Sequence, residues 1–411
     1  MWIGPDGKEC TKAFRIQDAA KKYARKQEED IERGEYIDPA AGKELLQPLG
    51  RKWLRLQSVG LTSRERYEGV LRLHIEPTFG HRKVKSVKPS EVAEWLRALS
   101  KTHGHSIQSM AFHILSGMFA LAVADGVRRD NPAQSDIITK PAPTDDEPRE
   151  AWTGDRVWAV ISAHPAEYEL IPVLQAGCGL RESEAFAIGE EDLDLDAGKV
   201  VIRRQVARVR TGKRYVFKLP KGGKTRVVPL SPGVVRAVRA YIETYPPRPY
   251  ALPWLDEHGQ VTADEHVCKL LFRWHGDDPR THGQHIRESS YNRQVWKPAL
   301  VKAGVIPEPE KGPRGGASRK YRADRADGTH ALRHYYSTTL QDAGVSLAGV
   351  MAFLGHSRNK RHIPISVRVY GHVTEETFEA ARNAIDRSLF RLRPVQDHQA
   401  DGTETEQAVS Q

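Results

Sequence analysis

Apolar residues recur at helical spacing through the stretch from about 46 to 135. Ile107, Ala111, Ile114, Leu115, Met118 and the Leu121/Ala122 pair share one face of a long helix. Gly126 and then Asn131-Pro132 end it. The preceding segment, 1–45, opens with the turn Gly4-Pro5-Asp6-Gly7 and a short strand. A highly charged helix over 19–33 follows, stopped at Gly34 and succeeded by Tyr36-Ile37-Asp38-Pro39. Only half of a small sheet is visible here, so the segment is expected to be either a reduced domain or one that begins upstream.

From 150 to 392 the period alternates between helix and strand. Helices are expected over 155–163 and 167–176. The runs 199–210, 214–218 and 225–230 read as three short strands. Thr211-Gly212 and Gly222-Gly223 supply the turns of an antiparallel meander. Ser231-Pro232 is a good N-cap and first helical residue. The helix it opens sets Val234, Val235, Val238, Tyr241 and Ile242 on one face. A last helix from about Thr374 buries Phe378, Ala381, Ile385 and Leu389. The expected fold class is therefore α+β and mainly helical, with a small three-stranded antiparallel sheet. The Pro-rich, acidic stretch 139–149 cannot easily continue a helix or a sheet and reads as a linker. It separates a helical domain, 46–138, from the mixed domain, 150–392. The polar tail, 393–411, is too poor in apolar residues to fold by itself.

Composition narrows the function. The chain has 411 residues and a formal net charge of +10, which suits two or three domains and a polyanionic partner. Residues 51–140 hold fifteen Lys and Arg against eight Asp and Glu, so the helical domain carries much of the excess. Cys10, Cys178 and Cys268 are far apart and in no C-x-x-C spacing. That argues against a disulfide frame or a cysteine zinc site, and for a reducing compartment. No apolar run of about 18 residues is evident, and the N-terminus lacks the apolar core of a signal peptide. A cytoplasmic protein with no membrane partner is expected.

Five short motifs carry candidate chemistry. Gly177-Cys178-Gly179-Leu180-Arg181-Glu182-Ser183-Glu184 bends into a helix that opens with Arg181. There, free backbone N–H groups and a planar guanidinium suit a phosphate. Taken alone, Arg181 is more simply read as a surface ion pair with Glu182 or Glu184. Pro220-Lys221-Gly222-Gly223-Lys224-Thr225-Arg226 reads as a basic hairpin tip, where a lysine can reach a cleft and donate a proton, or simply face solvent. His330-Ala331-Leu332-Arg333-His334 starts an amphipathic helix with His330 and Arg333 on one face. His330 and His334 also have the spacing of a zinc-binding H-E-x-x-H pair. Ala331 stands where that motif needs its acid, and no third ligand stands out. Leu354-Gly355-His356 closes the next helix, and Val369-Tyr370-Gly371-His372 precedes the last one. Each of these has a plain structural reading as a cap or a packing residue.

Their order is more specific than any one of them. G-L-R-x-x-E, a turn lysine, H-x-x-R, L-G-H and Y-G-H in succession resembles the tyrosine recombinases of the phage-integrase family. The resemblance covers 150–392. It extends less specifically to the two preceding segments, which are similar to that family's core-binding and arm-binding domains. Trp296 with Pro298, Ala303-Gly304 and the Tyr-Ile-Asp-Pro element look like actinobacterial members. The resemblance implies that Tyr370 attacks DNA and that Arg181 and Arg333 bind the scissile phosphate. Lys221, with Lys224 as runner-up, would protonate the leaving 5′ oxygen. His330 would move the tyrosine proton, His356 would hydrogen-bond the phosphate, and Glu184 would orient Arg181. It further implies no cofactor and no metal, and as partners double-stranded DNA attachment sites, a homotetramer on DNA, an excisionase and a host DNA-bending protein. Tyr370 follows His356 by 14 residues, a longer gap than the family pattern implies. Basic residues 358–364 fill it, and a second basic insertion, 311–325, precedes His330. A Xer-like resolvase, a catalytically inactive DNA-binding regulator and a metallonuclease are the competing readings.

Overall fold

The computed structural model describes residues 1–4, 7, 9–34, 36, 42–142, 150–209, 214–312, 319–356 and 373–390. The turn at Thr211-Gly212, the insertion 358–364, Tyr370, the tail 393–411 and most of the linker lie outside the described residues. The chain divides into two compact units, Met1–Glu147 and Pro148–Gln411.

In the first unit, strands β1 (Trp2–Ile3) and β2 (Glu9–Cys10) pair antiparallel, followed by helix α1 (Gln17–Glu32). The main body is helical: α2 (Leu46–Leu56), α3 (Leu61–Val70), which continues in wider π-type turns over Leu71–Gly80, α4 (Pro89–Ser100) and α5 (His105–Ala124). Leu46, Leu49, Trp53, Ile75, Phe79, Trp95, Ile114 and Met118 form its core. By length and composition α5 could cross a membrane. This departs from the expectation of no such apolar run, because scattered Ser, Gln and His hide the helix's high mean hydropathy in the sequence. Its Ala111, Ile114, Leu115, Met118, Phe119 and Ala122 are buried against the neighbouring helices.

The second unit is built around α7 (Leu170–Cys178), every residue of which is buried. Around it lie α6 (Gly154–Ser162), the short α8 (Glu182–Ala185), α9 (Pro232–Thr244), α10 (Glu288–Tyr291), α11 (Lys297–Lys302), α12 (His330–Asp342), α13 (Leu347–Leu354) and α14 (Glu375–Ile385). Ser231 caps α9 by accepting from Val234 N–H, 3.4 Å, as its sequence suggests.

The strands differ from the expected single meander. The run 199–210 splits into β4 (Lys199–Ile202) and β5 (Gln205–Val209). Strand β4 lies between β3 (Leu193–Asp194) and β7 (Arg226–Pro229) in a three-stranded antiparallel sheet. Strand β5 instead forms a hairpin with β6 (Arg214–Lys218), in a second sheet completed by β8 (Arg248–Leu255) and β9 (Val261–Leu270). The break has an electrostatic cause. Asp192, almost fully buried, accepts from Arg203 (3.1 Å) and Arg204 (2.8 Å), so the residues between β4 and β5 turn to an ion pair instead of extending the ladder.

Candidate active site

Helices α7 and α13 end alike. Gly179 caps the first at φ 62° and Gly355 the second at φ 64°, both left-handed. Glycine takes this conformation without the Cβ penalty other residues meet. Each turn leaves helix-end carbonyls unpaired. Arg333, on α12 between them, donates Nη1–H to Gly179 O and Nη2–H to Leu354 O. The negative ends of two helices thus hold one cation. Arg333 is 3% exposed. Burial, then the charges of Arg181 and Arg226, push its guanidinium down to about 9, so it stays charged at neutral pH. Its Nη2 also donates to His356 Nε2 at 3.4 Å. Glycine therefore appears in both G-L-R and L-G-H for one reason: each turn presents a carbonyl to the same buried arginine.

Arg181 follows the first turn at the head of α8. The Glu184 carboxylate, fully buried, accepts from Arg181 N–H at 2.9 Å and from Arg181 Nη1 at 2.9 Å. It also accepts from Arg226 Nη1 (3.0 Å) and Nη2 (2.6 Å). Burial alone would raise the Glu184 carboxyl; the bonds from Arg226 and Arg181 outweigh it and hold the carboxyl below the usual range. The surface ion-pair reading of Arg181 is thus half right. The pair exists, but its acid is buried and shared.

His330 lies one turn before Arg333, its ring edge-on to His334 with centroids 4.9 Å apart. Among the described residues no group of three His, Cys, Asp or Glu side chains converges as a metal site would require. The His330 side chain keeps an exposed face. Crowding by its neighbours, then the positive groups of His334, Arg333, Arg181 and His356, push its imidazole down to about 4, so it is neutral at physiological pH. The start of α12 is tied to α8 through Glu182, which accepts from Thr329 Oγ1 (3.3 Å) and Asn292 Nδ2 (3.0 Å). Burial and the nearby Glu288 push the Glu182 carboxyl up to about 8 against those two bonds.

The structure brings together two hydrogen-bonded pairs, Arg181 with Glu184 and Arg333 with His356, joined where Arg333 binds the Gly179 carbonyl two residues before Arg181, with His330 beside them. Lys221 is exposed on the turn between β6 and β7. That turn is not a hairpin tip, because its two strands belong to different sheets. Lys221 does not join the cluster among the described residues. Tyr370 lies outside them. The described chain resumes at Val373, which packs on the unit's core, and α14 follows with Thr374 as its cap. Tyr335 and Tyr336, the other tyrosines near Arg333, are both buried. Tyr335 hydrogen-bonds Ser388 Oγ at 2.7 Å. Burial raises both phenols, Tyr336 well above its ordinary value. Sequence reasoning missed Arg226 and Glu182. Arg226 left one signal: a cation inside the apolar strand Thr225-Arg226-Val227-Val228-Pro229 calls for a buried acceptor.

Residues 47–136 match the family model described as the phage integrase central domain. A protein named as the phiRv2 prophage integrase of Mycobacterium tuberculosis (strain CDC 1551 / Oshkosh) is 25% identical over 87% of this chain and 84% of its own length. Tyrosine recombinase XerA of Thermococcus kodakarensis is 26% identical over 55% of this chain and 58% of its own. Among solved structures, the Tn1549 transposon integrase in complex with transposon right-end DNA shares the fold at TM-score 0.59 and 20% identity, covering 84% of this chain and 99% of that one. A lambda integrase tetramer bound to a Holliday junction does so at TM-score 0.53 and 14% identity, covering 88% and 94%. In sequence and in fold the chain is similar to the tyrosine recombinases, the family of the phage integrases.

Proposed function

We propose that this chain is a site-specific DNA integrase that cuts and rejoins DNA through a 3′-phosphotyrosyl intermediate on Tyr370, integrating or excising a mobile element. The observation that carries the reading is the convergence of Arg181, held by the buried Glu184, with Arg333 and His356 at the Gly179 and Gly355 turns. A phosphodiester repels nucleophiles, and the pentacoordinate transition state carries still more negative charge. Two guanidinium groups fixed by carbonyls and a carboxylate offer preorganised positive charge without reorganisation during reaction. His330, neutral in the free protein, is able to accept the tyrosine proton. Lys221 is assigned to protonate the leaving 5′ oxygen, its exposure leaving it free to meet DNA. The covalent intermediate conserves the energy of the cut bond, so religation needs no ATP. The basic helical unit at 46–138 would grip the duplex, and four protomers would act on two attachment sites, with an excisionase and a host DNA-bending protein setting direction. The prophage integrase match spans more of the chain than the XerA match, which favours an integrase over a resolvase.

The test traps the intermediate. Wild type and Tyr370→Phe are incubated in EDTA with nicked duplexes covering the DNA that flanks the gene, then run on a denaturing gel. A protein–DNA adduct with wild type alone is expected. An adduct with Tyr370→Phe as well would move the nucleophile elsewhere. Specific DNA binding without any adduct would favour an inactive regulator.

A further inference from the structure

Arg226 reaches more of the site than any residue assigned a role above. It sits on β7, opposite Ile202 of β4, five residues after Lys221. Its side chain is 7% exposed. Nη1 and Nη2 take both oxygens of Glu184, at 3.0 and 2.6 Å, and Nε donates to Phe353 O at 2.7 Å. Phe353 precedes Leu354, whose carbonyl takes Arg333. Two buried arginines therefore share the end of α13, one on each of its last carbonyls. The guanidinium also fills the space a side chain at Gly355 would need, since a Cβ there would stand 3.1 Å from Arg226 Cδ. One side chain joins the strand leading from Lys221, the acid behind Arg181 and the turn that carries His356.

We propose that Arg226 is a positioning residue for strand cleavage: it neutralises Glu184, so that Arg181 stays available to phosphate, and it fixes the Arg181 turn against the His356 turn. The inference rests on the recombinase reading for its kinetic consequence. With Arg226 removed, Glu184 keeps a single cationic partner, Arg181, and holds it in place of the scissile phosphate. The bidentate geometry matters as well as the charge, because an ammonium cannot serve two carboxylate oxygens and a carbonyl in one plane.

Full-length wild type, Arg226→Gln, Arg226→Lys and the double variant Arg226→Gln/Glu184→Gln are compared in single-turnover cleavage of the same nicked flanking duplexes. Arg226→Gln is expected to slow cleavage about 10²-fold, the scale of a misplacement of about 1 Å, with DNA affinity unchanged. Its rate should climb as pH falls, because the unpaired buried carboxyl takes up a proton and releases Arg181. The double variant should recover part of the lost rate, which a purely structural role for Arg226 would not allow. Arg226→Lys should remain slow; it also decides the matter if Arg226→Gln does not fold. Wild-type cleavage by Arg226→Lys, or a double variant no faster than Arg226→Gln, would overturn the assignment. Absence of any adduct from wild type would sink the recombinase reading instead. The Arg226–Glu184 link is then judged by melting: relative to the double variant, Arg226→Gln should gain stability as pH falls, since a carboxyl raised in the folded state favours folding once protonated. No such gain would overturn the link.

Discussion

One methyl group at Gly179 should reach both arginines proposed to bind phosphate. Gly179 holds φ 62°, where a side chain costs roughly 1–2 kcal/mol. A Cβ there would also stand 2.5 Å from Tyr336 Cδ1 and 3.0 Å from Leu354 Cδ2. Tyr336 is fully buried and cannot swing into solvent. Forcing extra volume into such packing costs roughly 1–3 kcal/mol more. The expected destabilisation of Gly179→Ala is therefore roughly 2–5 kcal/mol. A domain of this size shifts its melting point by roughly 2–4 °C for each kcal/mol. Gly223 supplies the control: φ is 70°, but nothing lies within 4 Å of the added carbon, so Gly223→Ala should lose only the backbone penalty. The assay is calorimetry of the full chain, following the transition of the second unit, with adduct formation alongside. Because Gly179 O receives Arg333 and Arg181 lies two residues on, cleavage should fall even well below the melting range. If Gly179→Ala melts no lower than Gly223→Ala, or cleaves at the wild-type rate, the packing argument for the G-L-R turn fails.

Arg181→Ala and Arg333→Ala should each slow cleavage on the order of 10²–10³-fold, the usual loss for one electrostatic contact to a transition state. Binding of the same duplex should survive in gel-shift assays, and wild-type cleavage by either variant would remove it from the site. The depressed pKa of His330, about 4 in the free protein, predicts proton uptake on DNA binding. A phosphodiester beside Arg333 and Arg181 would cancel part of the charge that repels the imidazolium and raise the pKa, so uptake should grow as pH is lowered from 7, peak between the bound and free values, and decline below that. Calorimetric titrations in buffers of different ionisation enthalpy measure it. Uptake that persists undiminished in His330→Gln would assign the proton to another group.

How much of this was legible in the sequence depends on the range over which each feature is determined. Helix α9 was readable because Ser231-Pro232 fixes its start within three residues, and α5 because its apolar face repeats along one continuous run. The hairpin of β8 and β9 left no comparable trace. Strand β9 is exposed over most of its length, so it lacks the alternation that marks a half-buried strand. The break in 199–210 was hidden for another reason. Arg203 and Arg204 leave the ladder for Asp192, and nothing local to the strand names that partner. The same distinction runs through the candidate site. The turns at Gly179 and Gly355 are local, and each announces itself as glycine beside a chemical residue. Glu184 showed itself as a partner of Arg181 because the two lie three residues apart on one helix. Arg226 is 42 residues from the acid it neutralises and 127 from the carbonyl it binds, so the sequence displayed it only as one more cation after a basic turn.

That asymmetry has a physical origin that bears on the chemistry. A phosphate site assembled from separate turns needs each turn to be stable alone, which glycine caps provide. It also needs something buried to hold the turns at fixed separation. Here that role falls to charge, because the groups being held are cations and would repel one another. Arg181 and Arg226 share one carboxylate, Glu184, and Arg333 draws its negative partners from the ends of α7 and α13. The cluster is left with a surplus of positive charge, which adds to burial in pushing Arg333 and His330 down. The free protein bears that repulsion as a cost to its own stability. On the proposed function a phosphodiester would relieve part of it on binding, and a more negative transition state would relieve more, which is the direction in which a site must be biased if its binding energy is to accelerate the reaction instead of merely holding the substrate.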